Sequence, residues 1–308
     1  MFNQTRVTQF ILRGFSDIPE WRLVAVLFFS CVYAFALLGN ISVIIAVVRD
    51  SHLHSPLYFF LKNLCFVDLS YTSVTIPKAL ETTLQGSGVI SYFECVTQFY
   101  IFFKLGSTEY FLLTAMAYDR CMAIYRPLLY GAVMSQRLCC ALVVLAWVGG
   151  ALYAAFLALN TFSLPFCGPN VVEHFFCDIP PLMRLSCADF HSSEEMVFAV
   201  GSCVIMSSFA LKVLSYIRII STLLRMPSVD GRWKAFSTCS SHLTTVLLFY
   251  TSASFTYLKS ASQYFPTQGC LASIFYSILT PSLNPVIYCL RNRDMKVALL
   301  RLYCQRKF

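Results

Sequence analysis

The chain has 308 residues, of which 57% are hydrophobic and only 12% are charged, and its formal net charge is +8. Soluble domains carry about 25% charged residues, so this composition excludes an ordinary water-soluble protein. The mean hydropathy of +0.66 agrees, and both values indicate an integral membrane protein.

The first 22 residues are predicted to precede the membrane as a polar N-terminal segment. They contain Arg6, Arg13, Asp17 and Glu20, and they lack the apolar run of a signal peptide. The triplet Asn3-Gln4-Thr5 is an acceptor for N-glycosylation, which predicts a glycan on Asn3 if the segment faces the lumen.

Seven stretches are apolar and long enough to cross a hydrocarbon core of about 30 Å as helices. The sequence therefore predicts an all-α membrane protein, a seven-transmembrane helix bundle that occupies residues 23–290 of a single domain, 1–308. We name the stretches spans 1 to 7, and they run Leu23–Val48, Pro56–Leu80, Tyr92–Cys121, Leu138–Leu159, Met196–Leu224, Ala235–Leu258 and Cys270–Leu290.

The distribution of Lys and Arg between the connecting segments predicts an N-terminus outside the cell. With that orientation, fourteen of these residues lie in cytoplasmic segments and six lie in outer segments. The positive charge is spread over short loops and ends, which favours the inner leaflet over nucleic acid as its partner. Residues 291–308 interleave basic and apolar side chains, so we predict a short amphipathic helix on the membrane, with a frayed basic tail as the alternative.

Four cysteines, Cys95, Cys167, Cys177 and Cys187, fall on the predicted outer side, which is an oxidising compartment. Four cysteines allow three pairings, and their spacing does not choose among them. The five histidines are scattered without the spacing of metal ligands, and no catalytic grouping stands out. No cofactor is predicted.

Ionisable and amide side chains inside the spans are the strongest candidates for function, because they are costly in hydrocarbon. Asn40, Asp68, Glu109 and Asn284 are predicted to form an interior polar cluster. The cluster would hold a cation or a shared proton at Asp68 and Glu109, or it would be a static hydrogen-bonded network between helices. Two intramembrane lysines, Lys104 and Lys212, would face a ligand, pair with a carboxylate or extend to the interface.

Motifs in order along nearly the whole chain resemble the odorant receptor family of rhodopsin-like G-protein-coupled receptors. The motifs are Gly39-Asn40, Leu53-His54-Ser55-Pro56-Leu57-Tyr58-Phe59, Asp68-Leu69-Ser70-Tyr71, Met116-Ala117-Tyr118-Asp119-Arg120, Arg126-Pro127-Leu128, His174-Phe175-Phe176-Cys177-Asp178, Ser215-Tyr216, Lys234-Ala235-Phe236-Ser237-Thr238-Cys239 and Pro281-Ser282-Leu283-Asn284-Pro285-Val286-Ile287-Tyr288. The chain departs from the family at Cys121, where tyrosine is usual.

The resemblance implies a plasma-membrane receptor, in sensory cilia if olfactory neurons express it, that binds a small volatile odorant and raises cAMP through a stimulatory heterotrimeric G protein. It implies coupling through Asp119, Arg120, Tyr216 and Tyr288, and disulfides Cys95–Cys177 and Cys167–Cys187. The odorant would occupy an apolar pocket in the outer half of the bundle. Candidate pocket residues, by position, are Phe102, Phe103, Gly106, Ser107, Val204, Tyr250, Ser254, Tyr257 and Ser277.

Three other functions are alternatives to the odorant receptor. A transporter would be supported by inverted repeats, which are not evident in the sequence. An intramembrane enzyme would need a facing pair of groups such as Asp68 and Glu109, and nothing else supports one. A rhodopsin-like receptor for another small ligand is the nearest alternative. Its amine version is disfavoured because Phe102, Phe103 and Lys104 stand where an aspartate would be needed.

Overall fold

A computed structural model describes residues 7–14, 19–85, 88–167, 170–225, 239–240, 243–248, 250–251 and 265–304. Much of span 6 lies outside this part, as do the predicted glycosylation site Asn3 and the predicted pocket residues Ser254 and Tyr257. Four helices within the described part are long and apolar enough to cross a membrane by length and composition alone, and they correspond to spans 1, 4, 5 and 7.

The helices of the first five spans extend past the predicted apolar stretches at one or both ends. They run Pro19–Arg49, Pro56–Gln85, Tyr92–Tyr125, Gln136–Phe162 and His191–Arg225. The described residues of span 6 are helical. Span 7 is built from Pro266–Ile274, a π-helical turn Phe275–Leu279 and Thr280–Arg291.

Helix ends are set by capping side chains, which hydropathy does not detect. The span 3 helix begins after Ser91, whose hydroxyl accepts a hydrogen bond from the Glu94 N–H at 3.2 Å. The Glu94 carboxylate in turn accepts one from the Ser91 N–H at 2.9 Å. This reciprocal capping box satisfies two backbone donors that would otherwise lack partners at the helix start.

The predicted all-α membrane fold is confirmed, and residues Arg293–Cys304 form a helix rather than a frayed tail. This helix is amphipathic, with Met295 and Ala298 buried against the bundle. Asn292 fixes its start, because the Asn292 side-chain oxygen accepts hydrogen bonds from the Met295 N–H and from the Tyr58 hydroxyl of span 2.

A small sheet at one end of the bundle was not predicted. Strand β1 (Gln9–Leu12) pairs antiparallel with β2 (Gly88–Ser91) and parallel with β3 (Val171–Val172), in the order β2-β1-β3. Phe10 and Leu12 point inward and are fully buried. We call this end of the bundle the sheet end, and the opposite end, where span 3 finishes, the Arg120 end.

Spans 3 and 4 approach each other closely at Gly150. A Cβ atom at this position would lie 2.8 Å from the Lys104 carbonyl oxygen and 3.0 Å from the Thr108 nitrogen, so the backbone of span 3 would have to shift. Small residues allow such contact between membrane helices, where dispersion and not the hydrophobic effect drives association.

We expect Gly150→Ala to lower the melting temperature of the detergent-solubilised protein, by an effect of about 1–3 kcal/mol for an overpacked contact. The matched control is Gly131→Ala in the helix Pro127–Val133, where an added Cβ meets nothing within 4 Å. That change should be neutral or slightly stabilising. Equal melting temperatures for the two variants would contradict this account of the spans 3–4 contact.

Candidate functional site

The centre of the bundle contains a polar contact between spans 2, 3 and 7. The Asn284 side-chain amide donates to Asp68 Oδ2 at 3.0 Å and to Glu109 Oε1 at 3.4 Å. The Asn40 amide of span 1 donates to the Pro281 carbonyl at 3.3 Å, one turn before Asn284. All four of the predicted polar side chains are fully buried, and three of them touch directly.

Two carboxyl oxygens in this centre could accept further hydrogen bonds or bind a cation. Among the described residues, Asp68 Oδ1 and Glu109 Oε2 have no hydrogen-bond partner. Two carboxyl groups that share one amide donor in hydrocarbon need a proton, a cation or a further donor to offset their burial. No group of three or more metal-ligand side chains occurs in the described part of the chain.

Two disulfides fix the segment that follows span 4 at the sheet end. Cys95, in the first turn of the span 3 helix, is bonded to Cys177, and Cys167 is bonded to Cys187. Gln98 adds a hydrogen bond, because its side-chain oxygen accepts from the Cys177 N–H at 3.0 Å. The segment is therefore held over span 3 by covalent and polar contacts together.

A buried chain of hydrogen bonds ties the same segment to span 7. The Phe176 N–H donates to His174 Nδ1 at 3.4 Å, so the proton of the neutral ring lies on Nε2, which contacts Ser273 Oγ at 3.0 Å. The Tyr276 hydroxyl lies 2.9 Å from Ser273 Oγ and donates to Asp178 Oδ2 at 3.1 Å. All four of these side chains are fully buried.

Burial lowers the pKa of His174 from its ordinary value of 6.5 to about 3, because the surrounding segment excludes the water that would solvate an imidazolium. The neutral ring is also the form that can accept at Nδ1 and donate at Nε2. His174 is thus a neutral link between the segment that follows span 4 and span 7 at ordinary pH.

The candidate pocket residues lie at several different places in the bundle. Phe102 stacks on Tyr71 with ring centroids 4.7 Å apart and contacts Phe176 at 4.5 Å. A Cβ at Gly106 would lie 3.3 Å from the Tyr71 hydroxyl, so this glycine permits close packing of spans 2 and 3. Phe103 is buried against Phe99.

The remaining described candidates are two serines that bond to their own helices, a valine on span 5 and a tyrosine that packs against another helix. Ser107 Oγ donates to the Phe103 carbonyl, and Ser277 Oγ donates to the Ser273 carbonyl. Val204 is half-buried on span 5. Tyr250 of span 6 packs edge-on against Tyr110 of span 3, with ring centroids 4.9 Å apart.

An apolar cavity of about 550 Å³ lies between spans 6 and 7. It opens on the membrane-facing side of the bundle, since Leu271 and Phe275 in its wall are about half exposed. None of the candidate pocket residues that the structure describes is in its lining, which includes Leu248 and Thr251 of span 6 and Leu271, Phe275, Leu279 and Leu283 of span 7.

At the Arg120 end, both oxygens of the buried Asp119 carboxylate have partners. Arg120 Nη2 contacts Asp119 Oδ2 at 2.6 Å, and the Tyr130 hydroxyl donates to Asp119 Oδ1 at 2.7 Å. Tyr216 of span 5 donates to the Cys239 carbonyl of span 6 at 3.4 Å. Tyr288 of span 7 is buried.

Comparison with known proteins identifies the family of this chain. The family model described as olfactory receptor matches residues 29–306. The chain belongs to the olfactory receptor family. It is 44% identical to olfactory receptor 5A1 of Homo sapiens over 306 residues, which is 99% of this chain and 97% of that protein. It is 45% identical to olfactory receptor 1 of Rattus norvegicus over 305 residues, with the same shares of the two chains.

Family membership makes this a multi-pass membrane receptor of the odorant class and not an enzyme. Its unusual Cys121 is buried in a small apolar cluster with Ile219 and Leu223 of span 5 and Cys239 of span 6. A tyrosine is larger than this thiol, so the receptor brings spans 3, 5 and 6 together here around a smaller side chain.

The structure also places the two lysines that the sequence left unassigned. Lys104 Nζ lies 5.6 Å from the centroid of the Trp147 ring of span 4, a cation–π contact that turns it away from the bundle centre. Lys212 is buried between spans 3, 5 and 6, where four oxygen atoms surround its ammonium group.

Sequence reasoning missed Tyr130 and the pair Ser273 and Tyr276. The His174 to Asp178 motif was visible, but its partners lie almost 100 residues away in span 7. A single sequence gives no signal for such pairing when both partners are ordinary hydroxyl residues in apolar surroundings.

The neutral state of His174 makes receptor stability depend on pH in a defined direction. His174 binds a proton in the unfolded chain below about pH 6.5 and in the folded chain only near pH 3, so stability falls as the pH is lowered through 6.5. We expect a loss of about 2 kcal/mol at pH 5 from this group. The measurement is the melting temperature of solubilised receptor between pH 7.5 and 5.

His174→Gln should flatten this dependence, because glutamine does not titrate, although its melting temperature at pH 7.5 should be lower. The matched control is His54→Gln at an exposed histidine, which should keep the wild-type slope. An unchanged slope in His174→Gln would show that other groups set the acid sensitivity.

Proposed function

We propose that this receptor binds a small volatile odorant within the half of the bundle nearest the sheet end and activates a stimulatory G protein at the Arg120 end. The sheet end with the N-terminus would face outward, and the receptor would reside in the plasma membrane, in sensory cilia where olfactory neurons express it. Two disulfides at the sheet end support this orientation, since they persist in an oxidising compartment.

The proposed odorant site lies beneath the disulfide-bonded segment, among Phe102, Phe103, Ser107, Val204, Tyr250 and Ser277. The aromatic and aliphatic members supply apolar surface, which volatile molecules of low polarity favour. Ser107 and Ser277 donate to their own helices, so each hydroxyl oxygen retains the capacity to accept a hydrogen bond. The site therefore suits an apolar ligand that can donate a hydrogen bond to one or both of these oxygens.

The observation that carries the coupling proposal is the Asp119–Arg120–Tyr130 arrangement. Asp119 is fully buried and holds Arg120 on its own helix, while the Tyr130 hydroxyl occupies its second oxygen. An arginine that its neighbour holds, as Asp119 holds Arg120 among the described residues, can be released when the helices separate, and its charge then becomes available to a partner. Leu128, in the short helix that follows span 3, is 98% exposed at the same end and offers an apolar contact for that partner.

We expect Arg120→Ala to abolish odorant-induced cAMP without changing the amount of receptor at the cell surface. The assay is cAMP in cells that express the chain with a stimulatory G protein, across a panel of volatile compounds, with surface staining in the same cells. Arg137→Ala is the matched control, because Arg137 is exposed near the same end but has no role in the Asp119 pair. Equal responses from Arg120→Ala and wild type would contradict the proposed coupling.

We also propose that the centre formed by Asp68, Glu109 and Asn284 binds a sodium ion or a shared proton in the resting receptor. The two carboxyl oxygens without described partners support this, because a cation or proton would offset their burial. A bundle that rearranges around Asn284 would alter the affinity of the site and so couple the ion to odorant binding.

If the bound species is sodium, replacing sodium by N-methylglucamine at constant ionic strength should increase odorant potency about tenfold, a typical coupling between sites. Asp68→Asn should remove that sensitivity while keeping the amide–carboxyl contact sterically intact. Potency that depends on external pH but not on sodium would assign the site to a proton, and potency that depends on neither would leave a static network.

A further inference from the structure

Lys212 occupies an unusual place for a lysine, buried in the membrane-spanning part of span 5 with 1% of its surface exposed. Of the 35 residues in this helix, the buried ones are only Gly201, Ser208, Lys212, Ile219 and Leu223. An ammonium group in hydrocarbon is costly unless polar partners surround it. The cost implies that Lys212 has a role beyond filling space.

The partners of Lys212 come from three helices. Lys212 Nζ donates to Thr114 Oγ1 of span 3 at 2.6 Å, to Ser208 Oγ of its own helix at 2.6 Å and to the Tyr250 hydroxyl of span 6 at 2.8 Å. The Tyr110 carbonyl lies 3.1 Å away. An ammonium has three N–H donors, so these oxygens satisfy it fully.

All of these partners are uncharged. Among the described residues, no carboxylate forms an ion pair with Lys212. The ammonium charge is therefore balanced only by oxygen dipoles and by the Tyr250 ring, whose centroid lies 4.9 Å from Nζ. Tyr250 supplies both an oxygen and the ring, so its removal takes two of these stabilising contacts from the charge in a region that water does not supply.

The contact with Tyr250, a member of the proposed odorant site, ties span 6 to spans 3 and 5. Tyr250 also contacts Ser208 Oγ at 2.8 Å, and Ser208 contacts Thr114 Oγ1 at 2.8 Å. A tilt of span 6 that moves Tyr250 away would take one donor bond and the ring from the ammonium together. The cost of that movement is highest while the lysine is charged and buried.

We propose that Lys212 is a positioning residue that holds span 6 in its resting arrangement through Tyr250, and that this contact sets the basal activity of the receptor. This inference rests on the proposed G-protein coupling for its signalling consequence, but not for the helix contact itself. We call this Lys212–Tyr250 contact the brace. A ligand that displaces Tyr250 would have to break the brace, so the strength of an agonist would depend on this contact.

The first test replaces Lys212 by methionine, which keeps a similar length and apolar stem but removes the ammonium. We expect basal cAMP per surface receptor to rise about threefold or more, because a hydrogen bond to a charged group commonly changes an equilibrium by tenfold or more. Tyr250→Phe, which deletes only the hydroxyl, should raise basal cAMP by a smaller factor. The basal cAMP of the double variant should equal that of Lys212→Met, because both substitutions break the same contact between Lys212 and Tyr250.

Lys104→Met is the matched control, because Lys104 is also an intramembrane lysine but contacts Trp147 of span 4 and has no bond to span 6. It should leave basal cAMP unchanged. Basal cAMP equal to wild type in both Lys212→Met and Tyr250→Phe, at equal surface levels, would overturn the proposed control of basal activity. If Lys212→Met fails to reach the surface, Tyr250→Phe alone decides the outcome.

A second readout does not need the G protein. Cys239 of span 6 is buried, and its carbonyl accepts the hydrogen bond from Tyr216 of span 5. The rate at which a maleimide labels Cys239, measured by mass spectrometry of its peptide, should rise severalfold in Lys212→Met and Tyr250→Phe. Faster labelling without cAMP would uphold the brace and refute the proposed coupling, whereas unchanged labelling would refute the brace.

Discussion

The side-chain amide of Asn284 donates to carboxyl groups from two other helices in the middle of the bundle. Hydrocarbon offers no other donors, so Asp68 and Glu109 can be buried only when spans 2, 3 and 7 stand in the one register that brings this amide between them. Span 1 joins the same register through Asn40, which donates to the Pro281 carbonyl. The positions of four helices thus depend on a few polar atoms, and the apolar packing around them follows.

Spans 5 and 6 are attached differently. Few residues of the span 5 helix are buried, and its inward side includes Ser208 and Lys212 rather than a continuous apolar stripe. Within the described part of the chain, spans 5 and 6 meet at the Tyr250 hydroxyl, at the Tyr216–Cys239 contact and in the apolar cluster of Cys239 with Ile219 and Leu223. A helix held by separate polar contacts can move as those contacts exchange, while a helix packed along its whole length resists movement. The polar contacts between spans 5 and 6 are therefore ones that can exchange in the proposed activation.

The sheet end supplies the third constraint. The N-terminal strand, two disulfides and the chain from His174 to Asp178 join the connecting segments to spans 3 and 7. These contacts are covalent, backbone-based or fully buried, so they hold the connecting segments in one arrangement over the bundle. The neutral state of His174 is part of that order, because a charged imidazole could not accept the Phe176 N–H.

The sequence by itself determined the membrane class, the helical fold, the odorant receptor family and the polar residues that had to be interior, because hydrophobic length, intramembrane charge and local motifs are properties of short segments. The spacing of the cysteines left the disulfide pairing open, and only the family resemblance implied one. The sequence also did not reveal β1 or the roles of Tyr130, Ser273 and Tyr276. Only the tertiary structure decided that Lys104 lies on Trp147 while Lys212 joins three helices. Both are lysines within predicted spans, so the sequence does not distinguish them. Their contacts differ because long-range packing sets which neighbouring helices each lysine faces.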